Sequence, residues 1–135
     1  MSAFHALLIC ALAFAGGLLA QPAAAQEGPG PKCIASGHAA LGEAAGVRAE
    51  CNGSGDCMYQ APAANGAALA LLNAVADEVQ ECWRKAGLPR TKEERHKAGV
   101  IRIYAKGGQT CRVLLSLSQG TVADGFRATC QSDGR

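Results

Sequence analysis

A chain of 135 residues with a formal net charge of +2 and 4% aromatic residues is long enough for one domain and short for two comfortable ones. With so few rings the core must come mainly from aliphatic side chains and alanine, and the lack of aromatic interleaving argues against nucleic acid as a partner. The seven cysteines direct attention to the redox compartment instead.

From Ala6 to Ala20 the chain is almost wholly apolar, broken by Gly16-Gly17, and it passes through Gln21-Pro22 to Ala23-Ala24-Ala25. This pattern predicts a signal peptide over residues 1–25, cleaved after Ala25. The apolar stretch is shorter than the ~20 residues a spanning helix needs and ends at Pro22, so no stable membrane insertion is expected after cleavage. Cys10 leaves with the signal. Cys33, Cys51, Cys57, Cys82, Cys111 and Cys130 remain, an even set that reads as a disulfide framework in an exported chain.

Residues 26–65 open with Gly28-Pro29-Gly30-Pro31 and close with Ala61-Pro62-Ala63-Ala64-Asn65. This composition predicts an irregular segment, with at most a short helix from about Gly37 to Ala45 behind Ser36 as N-cap. Asn52-Gly53-Ser54-Gly55-Asp56 is strong turn chemistry, suited to folding Cys51 and Cys57 back on each other as a local bridge. Residues 66–135 form the structured part. A helix is predicted from Gly66 to Ala86, with Asn65 as N-cap, Gly87 as stop and Pro89 beyond. Leu72, Val75, Val79, Cys82, Trp83 and Ala86 make its apolar stripe, and Asp77, Gln80, Glu81 and Arg84 its other side. Thr91 and Glu94 form a capping box for a second short helix that ends before Gly99.

Beyond Gly99 the period alternates. Val100 to Ala105 reads as a strand, Lys106-Gly107-Gly108-Gln109 as a turn and Thr110 to Leu117 as a second strand. Cys111, Val113, Leu115 and Leu117 share its apolar face, while Leu114 on the polar face argues for burial on both sides. Gln119-Gly120 is a turn, and Thr121 to Cys130 a third strand with Val122, Phe126, Ala128 and Cys130 in phase and Asp124-Gly125 as a bulge. The fold class is therefore α+β, one main amphipathic helix packed on a small antiparallel meander.

Charge is segregated. Residues 26–83 hold two basic residues against seven acidic ones, and residues 84–112 nine against two. The basic segment suits an anionic envelope surface or an acidic protein partner, although internal pairing of Arg84, Arg90 and Lys92 with the acidic half is the simpler expectation. No metal or cofactor is expected, because the cysteine spacings contain no Cys-x-x-Cys and match no zinc pattern. His38 and His96 are the only histidines after Ala25. His38 pairs on paper with Ser36 or Asp56, but a surface His38 in a flexible segment and a solvated His96 are expected, and no catalytic residues are assigned. Trp83 is expected in the core.

The helix ending in Glu81-Cys82-Trp83, the run Tyr104-Ala105-Lys106-Gly107-Gly108-Gln109-Thr110-Cys111-Arg112-Val113-Leu114-Leu115-Ser116-Leu117 and the turn at Gln119-Gly120-Thr121-Val122 resemble the C-terminal domain of the TolA/TonB energy-transducing proteins. The resemblance covers residues 69–130 and departs from the family in ending just after Cys130, without a final helix and strand. It implies an α+β domain that binds other envelope proteins, and a bridge between Cys111 and Cys130. With Cys51–Cys57, the pairing ranked first joins Cys33 to Cys82. The expected function is that of a non-enzymatic, disulfide-stapled interaction module of the bacterial cell envelope, periplasmic or secreted. A partner would pair with an exposed edge, either Val100–Ala105 or the third strand, oriented by Arg84, Lys85, Arg90 and Lys92 with Arg102 and Tyr104. The alternatives are a secreted inhibitor or host-directed effector and, behind these, a small hydrolase.

Overall fold

The computed structural model describes residues 28–53, 56–118 and 122–132. The predicted signal peptide and the Gln119-Gly120 turn lie outside these residues. Two helices, α1 (Pro29–Gly42) and α2 (Gly66–Lys85), pack side by side. The strands are β1 (Arg48–Cys51), β2 (Cys57–Gln60), β3 (Arg90–His96), β4 (Gly99–Lys106), β5 (Gln109–Ser116) and β6 (Gly125–Ser132). All pair antiparallel in one sheet of order β1-β2-β6-β5-β4-β3, so the fold is α+β. Three disulfides, Cys33–Cys82, Cys51–Cys57 and Cys111–Cys130, staple it, the same three pairs that the sequence ranks first. Among the described residues no helix is long and apolar enough to cross a membrane.

The expectation of an irregular segment over 26–65 is corrected by α1 and the β1–β2 hairpin. Proline is tolerated in a first helical turn, whose N–H groups lack intrahelical acceptors anyway, so Pro29 and Pro31 start the helix well before Ser36. Glycine, which weakens an isolated helix, here permits close approach. A Cβ on Gly30 would lie 2.5 Å from the Cys111 sulfur and 2.7 Å from that of Cys130, and one on Gly37 would lie 2.8 Å from Val79. Helix α1 therefore docks directly on the cross-strand disulfide and on α2. The Gly30 carbonyl accepts from Trp83 Nε1 at 3.1 Å, which satisfies the one polar group of a fully buried ring.

Helix α2 follows its sequence signals. Asn65 caps it by accepting from the Ala68 N–H at 3.1 Å. At the other end Leu88 N–H donates to Trp83 O and Gly87 N–H to Arg84 O, with Gly87 at φ +94°, the Schellman arrangement. Leu72, Val75, Val79 and Trp83 are buried, but Cys82 and Ala86 are exposed. The stripe is narrower than predicted, and Cys82 sits on its flank, where it reaches the buried Cys33. Gln80, placed by sequence on the polar side, is buried. Asn73 exchanges two hydrogen bonds with the backbone of Ala123, at 2.7 and 3.0 Å, pinning the approach to β6 onto the helix.

The predicted second short helix is corrected to β3. No apolar run follows Thr91, so the capping box has no helix face to anchor. Instead the Thr91 hydroxyl donates to Ile103 O at 3.3 Å, and the segment pairs along β4 from Arg90 to His96. The third strand runs from Gly125, and Val122, predicted within it, is 46% exposed rather than in the buried phase; Thr121 lies outside the described residues. Asp124 is the strand's entry and not a bulge within it: its N–H donates to Ser116 O, and its carbonyl accepts from Ala61 N–H. Tyr59, Val100, Tyr104, Cys111, Val113, Leu115, Phe126 and Ala128 are buried. Cross-strand pairing puts them on the sheet face that carries the helices. Ile101, Ile103 and Leu114 lie on the opposite face, half-buried.

Candidate functional site

The Schellman turn at the end of α2 reverses the chain through Pro89 into β3. It thereby sets the last helical turn beside the start of β3 and the end of β4. There Arg84, Gly87, Pro89, Arg90, Tyr104 and Lys106 line an open cavity of about 610 Å³. Three of the six partner-binding candidates, Arg84, Arg90 and Tyr104, are thus brought together, and Lys106, which the sequence reading left in a turn, completes a rim of three cations.

The rim arginines already hold carboxylates of their own chain. Arg84 Nη2 pairs with Glu81, and the guanidinium's hydrogen bond draws that carboxyl below its ordinary range. Arg90 Nη1 pairs with Glu93 at 3.2 Å. These pairs are solvent-exposed, hence weak and exchangeable. Tyr104, which also lines the cavity, is buried. The phenol donates to Gln80 Oε1 at 2.8 Å, the ring packs 5.2 Å from that of Trp83, and burial raises the phenol's pKa above its usual value.

The other candidates stand apart. Lys85 is exposed on the last turn of α2, where a cation complements the helix dipole, but it does not line the cavity. Lys92 pairs with Glu94 at 3.0 Å and, opposite Ile103, belongs to the other sheet face. Arg102 is a strut beneath the helices, bound to Glu93 at 2.8 Å and to Gln80 Oε1 at 3.0 Å. The expected pairing of the basic segment with the acidic half holds for Arg84 alone. Arg90 and Lys92 are paired with Glu93 and Glu94 of their own strand: Lys92 and Glu94, two apart, share a side by alternation, and the register shift between Arg90 and Lys92 brings Arg90 to the side of Glu93. Glu93 also binds Arg95 at 2.9 Å, and its carboxyl is held low chiefly by the hydrogen bond from Arg102.

Val100–Ala105, expected as an exposed edge, is the interior strand β4, flanked by β3 and β5. His38 is not a loose surface residue. It lies on α1, its ring 5.1 Å from Tyr59, and its Nε2 is buried with no hydrogen-bond partner among the described residues. Burial lowers its pKa, against the opposing pull of Asp56. Among the described residues no three His, Cys, Asp or Glu side chains are grouped to hold a metal ion. The sequence reading missed Gln80, the acceptor that joins α2 to β4. Its place one turn beyond Ala76, next to the buried Val79, was the available signal. Comparison of the chain with protein-family models, with curated proteins and with solved structures gives no match.

Proposed function

We propose that the chain is an exported, non-enzymatic interaction module of the bacterial cell envelope, acting in the periplasm or after secretion, with partner-binding habits like those of TolA/TonB C-terminal domains. One observation carries the reading. Arg84, Arg90 and Lys106, with the buried Tyr104, line a cavity that has no acidic lining residue. Among the described residues each arginine pairs with one carboxylate, Glu81 and Glu93, which the carboxylates of an acidic protein partner would replace. Three disulfides suit the oxidising compartment such a role requires, and they supply rigidity that a scaffold poor in aromatics lacks.

The test is a pull-down from envelope extract with the oxidised protein, alongside the double variant Arg84→Glu, Arg90→Glu. A defined partner retained by the wild type, released at raised salt and lost with the double variant is the expected result. Retention of that partner by the variant would move the interface elsewhere. No partner above background, with the protein present in culture supernatant, would favour a secreted inhibitor or effector.

A further inference from the structure

Strand β2 pairs with β6 only at Tyr59↔Phe126 and Gln60↔Gly125, whereas β5 follows β6 along its whole length to Ser132. Beyond Phe126, then, one side of β6 is unpaired by any strand of the described residues. Ser116 O accepts from Asp124 N–H, so Ser116 turns its backbone groups to β6, its cross-strand partner Gly125 turns its own to β5, and Phe126 faces the other way. Residues two apart in a strand point their N–H and C=O groups to the same side, so those of Ala128 and Cys130 face the unpaired edge. This edge is not protected as β3 is. Every residue of β3 from Arg90 to His96 is polar or charged, the usual defence of an edge strand, while Ala128-Thr129-Cys130-Gln131-Ser132 carries no charge and no proline.

A groove of about 660 Å³ runs along this edge. Helix α1 supplies one wall, with Pro31, Ile34, Ala35 and His38. Asp56, Arg112 and Arg127 supply its charges. Arg127 reaches Asp56 only at 3.9 Å, and Arg112 makes no ion pair among the described residues, so cations exceed anions two to one. An unpaired strand edge takes extended backbone, an apolar helix wall takes alternate side chains, and the two arginines take carboxylates. We infer that the β6 edge is a second docking site, in which an extended acidic segment of a partner protein adds a strand where β2 leaves the sheet. The inference deepens the reading of an interaction module, for which the sequence offered the third strand as one pairing edge; no residue lines both this groove and the basic cavity, so the two surfaces are tested separately.

The probe is a capped octapeptide of alternating valine and glutamate, titrated into the ¹⁵N-labelled oxidised protein. Saturable amide shifts centred on Ala128 and Cys130 and on the α1 wall are expected. A valine–lysine peptide should bind about tenfold more weakly or worse, since like charges oppose across an interface. N-methylation of the peptide amides on its β6-facing side should abolish binding. Ala35→Arg, which fills the groove from an exposed helical position, should do the same, while Ala39→Arg, exposed and outside the groove, should not. Absence of shifts at millimolar peptide, equal binding of the lysine peptide, or shifts confined to Arg84, Arg90 and Lys106 would each overturn the inference.

Discussion

Gly30 shows how much one missing side chain decides. Its N–H donates to Gln109 Oε1 at 3.3 Å, its carbonyl accepts from Trp83, and its Cα faces two disulfide sulfurs at distances no Cβ tolerates. Gly30→Ala should therefore destabilise the protein by about 1–3 kcal/mol through overpacking, despite alanine's better helix propensity, and urea unfolding will measure it. At Gln80 a single amide oxygen accepts from both Arg102 and Tyr104, and the amide nitrogen donates to Ala76 O at 3.1 Å, which is why a polar residue is tolerated inside. His38 has the opposite status, a buried nitrogen without a hydrogen-bond partner among the described residues. Because its pKa is lowered in the folded state, the unfolded chain binds the proton more readily between that value and the ordinary 6.5. Stability is therefore lost as pH falls from the ordinary histidine value towards the folded-state one. His38→Phe should flatten this part of the stability profile measured from pH 5 to 8, and an unchanged slope would contradict the assignment.

Among the elements, α1 and β3 were the ones composition concealed. A segment rich in glycine and proline is a poor helix by propensity, and α1 exists because its small residues fit against Val75, Val79 and the Cys111–Cys130 bridge. The β3 segment looked like a capped helix, but it has no apolar face to bury, and pairing with β4 supplied backbone partners that a solvated helix would have had to find alone. The disulfides join elements at very different separations, 49, 19 and 6 residues. Replacing each pair by alanine should cost about 4, 3 and 2 kcal/mol respectively if loop closure in the unfolded chain dominates. Melting temperatures of the three double variants will rank them, and a smaller loss for Cys33–Cys82 than for Cys51–Cys57 would show that local strain outweighs chain entropy.

At the scale of the whole molecule, the hairpin from the glycine-rich half and the meander from the basic half share one sheet under one pair of helices. Oxidised protein should accordingly unfold in a single transition, with far- and near-ultraviolet circular dichroism coincident; two separated transitions would mean that the halves are independent. The sheet also decides where charge is available. Glu93 and Glu94 pair with Arg90, Lys92, Arg95 and Arg102, and cations gather at two surfaces, the Arg84–Arg90–Lys106 cavity and the Arg112–Arg127 side of the β6 edge. Binding at either should weaken as salt is raised, since exposed charges are screened beyond about 8–10 Å at physiological ionic strength.

By itself the sequence determined what local chemistry can determine. The ends of α2 followed from Asn65 and Gly87, three meander strands followed from alternating hydrophobicity, and Trp83 in the core followed from the helical stripe. Tertiary structure alone decided the rest, because each remaining feature depends on contacts between distant residues. Gly30 is a helix residue only against Cys111 and Cys130, Thr91 is a strand residue only beside Ile103, and Gln80 is buried only because Arg102 and Tyr104 meet it there. The cation-lined cavity and the unpaired edge of β6 arise the same way, one from a helix end turned onto β4 and the other from a hairpin too short to follow its neighbour.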